Sequence, residues 1–547
     1  MLNPLRVLPN GFISRASTMN ARQVFYTFIL LSSASVYALD HFWSVDWLFY
    51  LIASIALLGF YDMLQTKHTL LRLYPVIGHF RYLLESIRPE IQQYFVESDI
   101  NGRPVSREFR SLVYQRAKGV RDTRPFGTLF DVYRDGYEWT NHSLAPCDVH
   151  SVSSKVTFGG AATSQPYQAS VFNISAMSFG ALSRHAIMAL NQGAKIGGFA
   201  HNTGEGGLSP HHLKHGGDLI WQIGTGYFGC RTSDGHFDEK LFAETASQAA
   251  VKMIEIKLSQ GAKPGHGGIL PAIKLTQEIA TIRKVPMGHD VISPAAHSAF
   301  STPQGLLDFV KKLRQLSGGK PVGFKLCIGD QKQFMAVAKA MLKSKIYPDF
   351  ITVDGSEGGT GAAPVELTNS VGTPLKDGLV FVNNLLIGLG LRNKLKLIAS
   401  GKVFSSFHLL RLLALGADSV NSARAMMFAL GCIQSRSCNS DRCPTGIATQ
   451  DPSRYKALDV NDKAKRVAQY HDSIVENLHE LLAASGLAKS NQLKPEHIFR
   501  RVQGAEVKTY AELYAWFKPG QLLDDPQQTN ISTSYLTNWQ QADPNHW

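Results

Sequence analysis

Half of the chain's six cysteines fall in one stretch, GCIQSRSCNSDRCPTGIATQ (431–450). Cys432, Cys438 and Cys443 are spaced C-x5-C-x4-C, and Pro444 and Gly446 then turn the chain away. Thiolate sulfur is the soft ligand of iron–sulfur clusters, and three thiolates on one loop can wrap one small cluster. A zinc site would favour a C-x2-C pair with a fourth Cys or His nearby. Chance grouping of structural cysteines is the remaining alternative. Cys147, Cys230 and Cys327 are scattered, and buried free thiols are expected there. The second chemical signal is glycine, in SAMSFGALS (175–183), HNTGEGGLSP (201–210), SQGAKPGHGG (259–268), GSEGGTGAAP (355–364) and SGKVFSS (400–406). Such turns let backbone N–H groups cradle an anion, above all where a helix starts. One of them means little, because tight turns alone account for it. Several at one face of a domain point to a large flat cofactor with a phosphate, for which flavin mononucleotide (FMN) is the natural reading. His211 and His215 in SPHHLKH stand at helical spacing, and a solvated face is expected there rather than a metal pair.

These segments need elements to hold them at one face. From about residue 169, short runs rich in Val, Ile and Phe alternate with longer helical patterns. The expected strands are 170–175, 197–202, 219–224, 253–259, 321–328, 349–355, 395–400 and 418–423. Strands alternating with helices argue for parallel βαβ units, and eight of them fill a (β/α)8 TIM barrel. The glycine-rich segments then follow the first, second, fourth, sixth and seventh strands, at the carboxyl ends where barrel enzymes place their chemistry.

Ahead of the barrel stand two apolar runs without Lys or Arg, 23–39 and 45–61. Each approaches the ~20 residues that span a hydrocarbon layer. Arg6, Arg15 and Arg22 precede them and Lys67, Arg72 and Arg81 follow, so both ends are expected in the cytoplasm. A transmembrane helical hairpin (1–64) is therefore expected, then a charged helical leader (65–165), the barrel (166–455) and a C-terminal extension (456–547), helical first and irregular at its end. The protein is expected to be a multi-pass protein of the cell or inner membrane, its catalytic body cytoplasmic. The net charge of +13 is spread without a long basic run. It suits an acidic small substrate or an anionic membrane and not nucleic acid.

AMSFGALS, NTGEGG, QGAKPGHGG, GGTGAAP and GCIQSRSCNSDRCPTGIATQDP stand in the order found in the synthase domain of glutamate synthase. Over about 165–460 the chain resembles the FMN-binding glutamate synthase-like family. The resemblance implies a [3Fe-4S] cluster on Cys432, Cys438 and Cys443. It implies Lys263, with Gln260 beside it, for a carboxylate of 2-oxoglutarate or a related 2-oxo acid, and Glu205 as the active-site glutamate. For FMN it implies Ala176, Met177, Ser178, Gly358 and Gly359, with Lys325 under the N1–C2=O edge of the ring. The phosphate falls to Ser400, Gly401 and Lys402 and to Ser422, Ala423 and Arg424. The implied reaction forms 2-iminoglutarate from 2-oxoglutarate and ammonia, then reduces it to L-glutamate with hydride from FMN fed by the cluster.

The family's glutamine amidotransferase domain is not expected here, so ammonia would come from solution or from a partner that supplies it. Electrons would pass to or from a donor or acceptor protein or a quinone-linked partner. His266 stands where the family has Glu, GSEGG replaces its usual His-Asp-Gly-Gly, and SGKVFS lacks one glycine. Those differences bear on the substrate, and an oxidoreductase acting on another amino acid or imine is the alternative. A non-catalytic, membrane-anchored interaction protein on the same scaffold is a third reading, against which Cys432, Cys438, Cys443, Glu205 and Lys263 all speak.

Overall fold

Each of the eight apolar runs forms a strand. They are β1 (Phe172–Ile174), β2 (His201–Asn202), β3 (Leu219–Ile223), β4 (Val251–Lys257), β5 (Val322–Cys327), β6 (Phe350–Asp354), β7 (Lys396–Ser400) and β8 (Ser419–Ser422). In this computed structural model, which describes residues 19–120, 122–524 and 532–547, they close in chain order into a parallel barrel. Closure runs through the pairs Val420↔Phe172, Asn421↔Asn173 and Ser422↔Ile174. Strands such as β3 and β6 are buried along their whole length, as parallel strands covered on both faces must be.

The barrel interior carries a polar layer. Glu255 on β4 is wholly buried and accepts hydrogen bonds from Asn202 Nδ2 (2.8 Å), Gln222 Nε2 (2.7 Å) and Thr352 Oγ1 (2.6 Å). A buried carboxylate is tolerated only when its oxygens are so satisfied. The layer gives the catalytic end of the barrel a rigid floor.

The chain divides between Ser98 and Asp99 into two units. In the second, residues 99–165 fold with the barrel rather than apart from it. Within them, Glu138–Thr140 pairs with Ile498–Gln503, which pairs in turn with Glu506–Thr509. The tail thus holds an antiparallel sheet where irregular chain was expected, because its partner strand lies some 360 residues upstream. The buried Glu138 carboxylate ties these parts together through Lys376 Nζ (2.5 Å), Arg411 Nη1 (2.8 Å) and Arg500 Nη1 (3.2 Å).

The first unit holds α1 (Ala21–Asp40), α2 (Trp47–Leu64) and α3 (Gly78–Ile91). Gly59 on α2 lets Phe25 of α1 approach so closely that a Cβ there would collide with the ring. Among the described residues α2 is the one helix long and apolar enough to cross a membrane by length and composition, with mean hydropathy 1.7. α1 falls short because Arg22, Gln23 and three serines dilute it. Arg6 and Arg15, used above to orient the hairpin, lie outside the described residues.

Candidate active site

Glu205 follows β2, and its Oε1 lies 2.7 Å from Lys257 Nζ at the carboxyl end of β4. Gly224 and Gly268 flank it, and a Cβ on either would run into the carboxylate. That close approach explains the glycines after β3 and in GHGG. Burial by itself would raise the pKa of Glu205, but the charges of Lys257, Arg283 and Lys263 hold it below the usual carboxylate range. Three cations therefore surround one carboxylate. Lys263 is buried, donates to the carbonyl of Ala362 at 2.8 Å, and is pushed down to about 8 by desolvation and by Lys257. Arg283 is buried and brought down to about 10 by desolvation; its Nη2 donates to Phe179 O at 3.2 Å and reaches Ser178 Oγ at 3.5 Å. A desolvated cluster of side chains carrying two net positive charges favours an anion. Gln260, partly exposed, reaches Thr360 Oγ1 at 3.5 Å, on the same loop that receives Lys263.

Beside this pocket lie the segments expected to cradle a flavin. Gly204 takes a left-handed backbone (φ +65), and a Cβ there would stand 2.7 Å from Ser178 N, so the first two barrel loops touch. The Ala176-Met177-Ser178 segment thus sits against the Glu205 loop. Lys325 on β5 is buried, with Nζ 3.2 Å from Asp354 Oδ2. Burial works to lower its pKa, but Asp354 and Glu255 hold it above the ordinary lysine range, so it stays cationic. Asp354 also accepts from Gly261 N–H at 3.0 Å, fastening the fourth loop to the sixth.

Ser175 Oγ of the first barrel loop and Ser400 Oγ at the end of β7 are 3.0 Å apart, and Ser422 Oγ at the end of β8 donates to Val403 O at 2.9 Å. Lys402 and Arg424 lie close enough that burial and their mutual charge lower the lysine pKa. Arg424 Nη2 donates to Glu357 O at 2.6 Å, and Arg424 packs on Gly359, next to Gly358. The donor set suits FMN: a desolvated Lys–Arg pair for a phosphate, and Lys325 for a ring edge that becomes negative on reduction. The departures GSEGG and SGKVFS find a structural account here. Glu357 Oε2 accepts the first N–H of the helix Leu375–Gly388 at 3.0 Å, and Lys402 adds a cation where a glycine is missing. His266 turns back on its own loop, its Nδ1 2.8 Å from Gly267 O.

The cysteine loop closes over the same end. Cys443 is buried, Cys432 and Cys438 are partly so, and all three are free. Burial pushes the Cys432 thiol up to about 12, with the charges of Cys438 and Cys443 adding to it. At Cys443 burial is outweighed by hydrogen bonds from the Thr445 hydroxyl and from the N–H groups of Ala448, Thr445 and Ile447, which favour the thiolate. Gln434, Arg436 and Asp441 all take positive φ (60, 59 and 61). Non-glycine residues in that region store strain, ~1–3 kcal/mol each, and such strain clusters at functional sites. Among the described residues no three His, Cys, Asp or Glu side chains converge as a single metal ion would need. The three cysteine side chains are near enough for Cys438 and Cys443 to act electrostatically on Cys432, and three soft sulfur donors on one loop are the donor type an iron–sulfur cluster would take. The helix Arg107–Ala117 covers the loop, Tyr114 Oη donating to Cys432 O at 2.5 Å, and Val105 N–H donates to Gln434 Oε1 at 3.1 Å.

The expected solvated face of His211 and His215 is not what forms. The helix is only Pro210–Leu213, and His211 Nε2 lies 2.7 Å from Glu278 Oε1, with Arg184 Nη2 2.7 Å from the other oxygen. An acidic partner 67 residues away in sequence is invisible to spacing. Lys257, Arg283 and Lys274 were likewise not singled out by sequence. Lys257 lies near the end of the expected strand 253–259, the one signal that could have found it; Arg283 and Lys274 sit in the long excursion between β4 and β5.

An eight-stranded parallel barrel with cofactor-type loops at its carboxyl ends is an enzyme scaffold of the (β/α)8 class. A family model described as "Conserved region in glutamate synthase" matches residues 150–488. The glutamate synthase large subunit-like protein YerD of Bacillus subtilis is 38% identical over 486 residues, covering 82% of this chain and 92% of that protein. The archaeal glutamate synthase [NADPH] of Methanocaldococcus jannaschii is 37% identical over 59% of this chain and 60% of its own length. The archaeal-type enzyme of Thermotoga neapolitana is 33% identical over 58% and 60%. The chain belongs to the glutamate synthase family and is a glutamate synthase-like oxidoreductase.

Proposed function

We propose that the chain makes L-glutamate by reducing 2-iminoglutarate, formed from 2-oxoglutarate and ammonia, on bound FMN with electrons fed by a [3Fe-4S] cluster. The observation that carries this reading is the excess of two positive charges around Glu205. Lys257, Lys263 and Arg283 oppose that single carboxylate, and a dicarboxylate 2-oxo acid brings the two negative charges that balance them. Lys263 and Arg283 bind and orient the substrate carboxylates. Glu205, held ionised at neutral pH, accepts hydrogen bonds from the imine N–H. Lys325, Ser178 and the Gly358-Gly359 segment would hold FMN, which would supply the hydride when bound. Cys432, Cys438 and Cys443 would hold the cluster that supplies electrons.

The test is reoxidation of the photoreduced flavoprotein. 2-Oxoglutarate with ammonium should reoxidise the flavin at least tenfold faster than pyruvate or 2-oxobutyrate with ammonium. A monocarboxylic 2-oxo acid that works as well would move the assignment to another amino acid or imine, with His266 and Glu357 as the residues behind the change.

The membrane tether is part of the same proposal. α2 supports it by its composition. So does α3, which exposes Ile77, Phe80, Leu83, Leu84, Ile87 and Ile91 on one stripe edged by Arg81 and Arg88. With basic residues flanking the apolar helices, the barrel would stand on the cytoplasmic side and meet an electron partner there. The full chain should sediment with membranes, and a chain beginning at residue 99 should not. One beginning near residue 65 reports whether α3 alone binds lipid. Full-length protein in the soluble fraction would end the tether reading.

A further inference from the structure

Lys274 takes no part in the chemistry above, and its surroundings are unusual for a lysine. Its side chain is buried, and Nζ donates to the backbone carbonyls of Ala181 (2.6 Å), Ala448 (3.1 Å) and Cys438 (3.3 Å). All three acceptors are neutral. A buried ammonium held by dipoles alone keeps an uncompensated charge, which is costly unless an anion stands close. The groups placed to favour its charge are the Asp441 carboxylate and, when ionised, the sulfurs of Cys438 and Cys443. The Asp441 carboxylate is engaged elsewhere, accepting from Gln450 N–H at 2.7 Å. Ala181 lies just past the Ala176–Ser178 segment, whereas Cys438 and Ala448 belong to the cysteine loop, so one ammonium fastens the two together.

We propose that Lys274 is the fixed positive charge that raises the reduction potential of the cluster held by Cys432, Cys438 and Cys443. The inference rests on the iron–sulfur reading of those cysteines. One electron from a low-potential one-electron donor enters the cluster, with no bond made or broken, and the added negative charge is stabilised by the ammonium behind the ligand loop. Nearby charge and hydrogen bonding are the levers by which a protein sets such potentials. Lys274 is thus a positioning and tuning residue, not a catalytic one.

The experiment uses full-length protein purified without oxygen, with iron, acid-labile sulfide and FMN measured and the cluster EPR signal followed through a dithionite titration. Lys274→Met should keep its FMN and show a midpoint at least 59 mV more negative, a tenfold change in a one-electron equilibrium. Lys274→Arg should stay near wild type. Loss of iron from Lys274→Met alone, with Lys274→Arg intact, would make the charge a requirement for holding the cluster rather than the setter of its potential, and would overturn the proposal. A fully loaded Lys274→Met at the wild-type potential would overturn the proposal. So would equal shifts in both variants, or iron lost from both, since either outcome makes the lysine a scaffold. Wild-type protein free of iron would refute the cluster reading itself, and the inference with it.

Discussion

Lys263→Ala is expected to bind 2-oxoglutarate at least tenfold more weakly than the wild-type protein. Removing one partner of a desolvated charge pair costs about 2–5 kcal/mol, and each ~1.4 kcal/mol is a decade in affinity. Lys263 meets the condition, being buried beside Glu205 and Arg283 with only a carbonyl to bond. The pH dependence follows from the same site. Lys263 is pushed down to about 8 in the ligand-free protein, and a bound carboxylate favours its charged form. Binding therefore takes up a proton above that pH, and affinity should fall as pH rises through about 8. The alanine variant should lose this dependence, a signature that general loosening of the site would not produce. FMN content should hardly change, although Lys263 rests on the loop that carries Gly358 and Gly359. Titration of 2-oxoglutarate against the flavin spectrum at pH 7 and pH 9 reads all of this. Equal affinities at both pH values in both proteins would sink the dicarboxylate assignment, and flavin loss would move Lys263 into the cofactor site.

Cys438→Ser should lose essentially all cluster iron and keep its FMN. Serine oxygen is a harder, poorer ligand for iron–sulfur chemistry than thiolate, and three ligands leave no spare. The flavin should stay because Lys325, Lys402 and Arg424 stand on β5 and the last two barrel loops, outside the cysteine loop. 2-Oxoglutarate should still perturb the flavin spectrum, since Lys257, Lys263 and Arg283 are untouched. Iron analysis and EPR of the oxidised protein decide the first part, and an undiminished signal would strike Cys438 from the ligand set.

Much of the architecture was legible because it is local. A strand needs only its own apolar run, and seven of the eight barrel strands match the expected runs to within about two residues at either end, the exception being β2, which begins four residues later than expected. The glycine-rich and cysteine segments were placed at loops for the same reason: C-x5-C-x4-C, GAKPG and TGEGG are each short and local. The antiparallel sheet joining Glu138–Thr140 to the tail was not legible, because neither strand forms alone and a pairing across some 360 residues leaves no periodic trace. The contacts that hold residues 99–165 to the barrel, such as Glu138 with Arg411, leave no local trace either.

The candidate site divides along the same line. Sequence alone determined the barrel and the order of its loops, because short apolar runs and local spacing specify them, and from residue type it put forward Cys432, Cys438, Cys443, Glu205 and Lys263 for the chemistry. Only the tertiary structure decided that Lys257 pairs with Glu205 across 52 residues, that Arg283 completes a pocket with two net positive charges, and that Lys274 lies buried against the cysteine loop. The physical reason is that a charge acts through distance and dielectric, and both are set by which segments the fold brings together and dries, not by their separation along the chain.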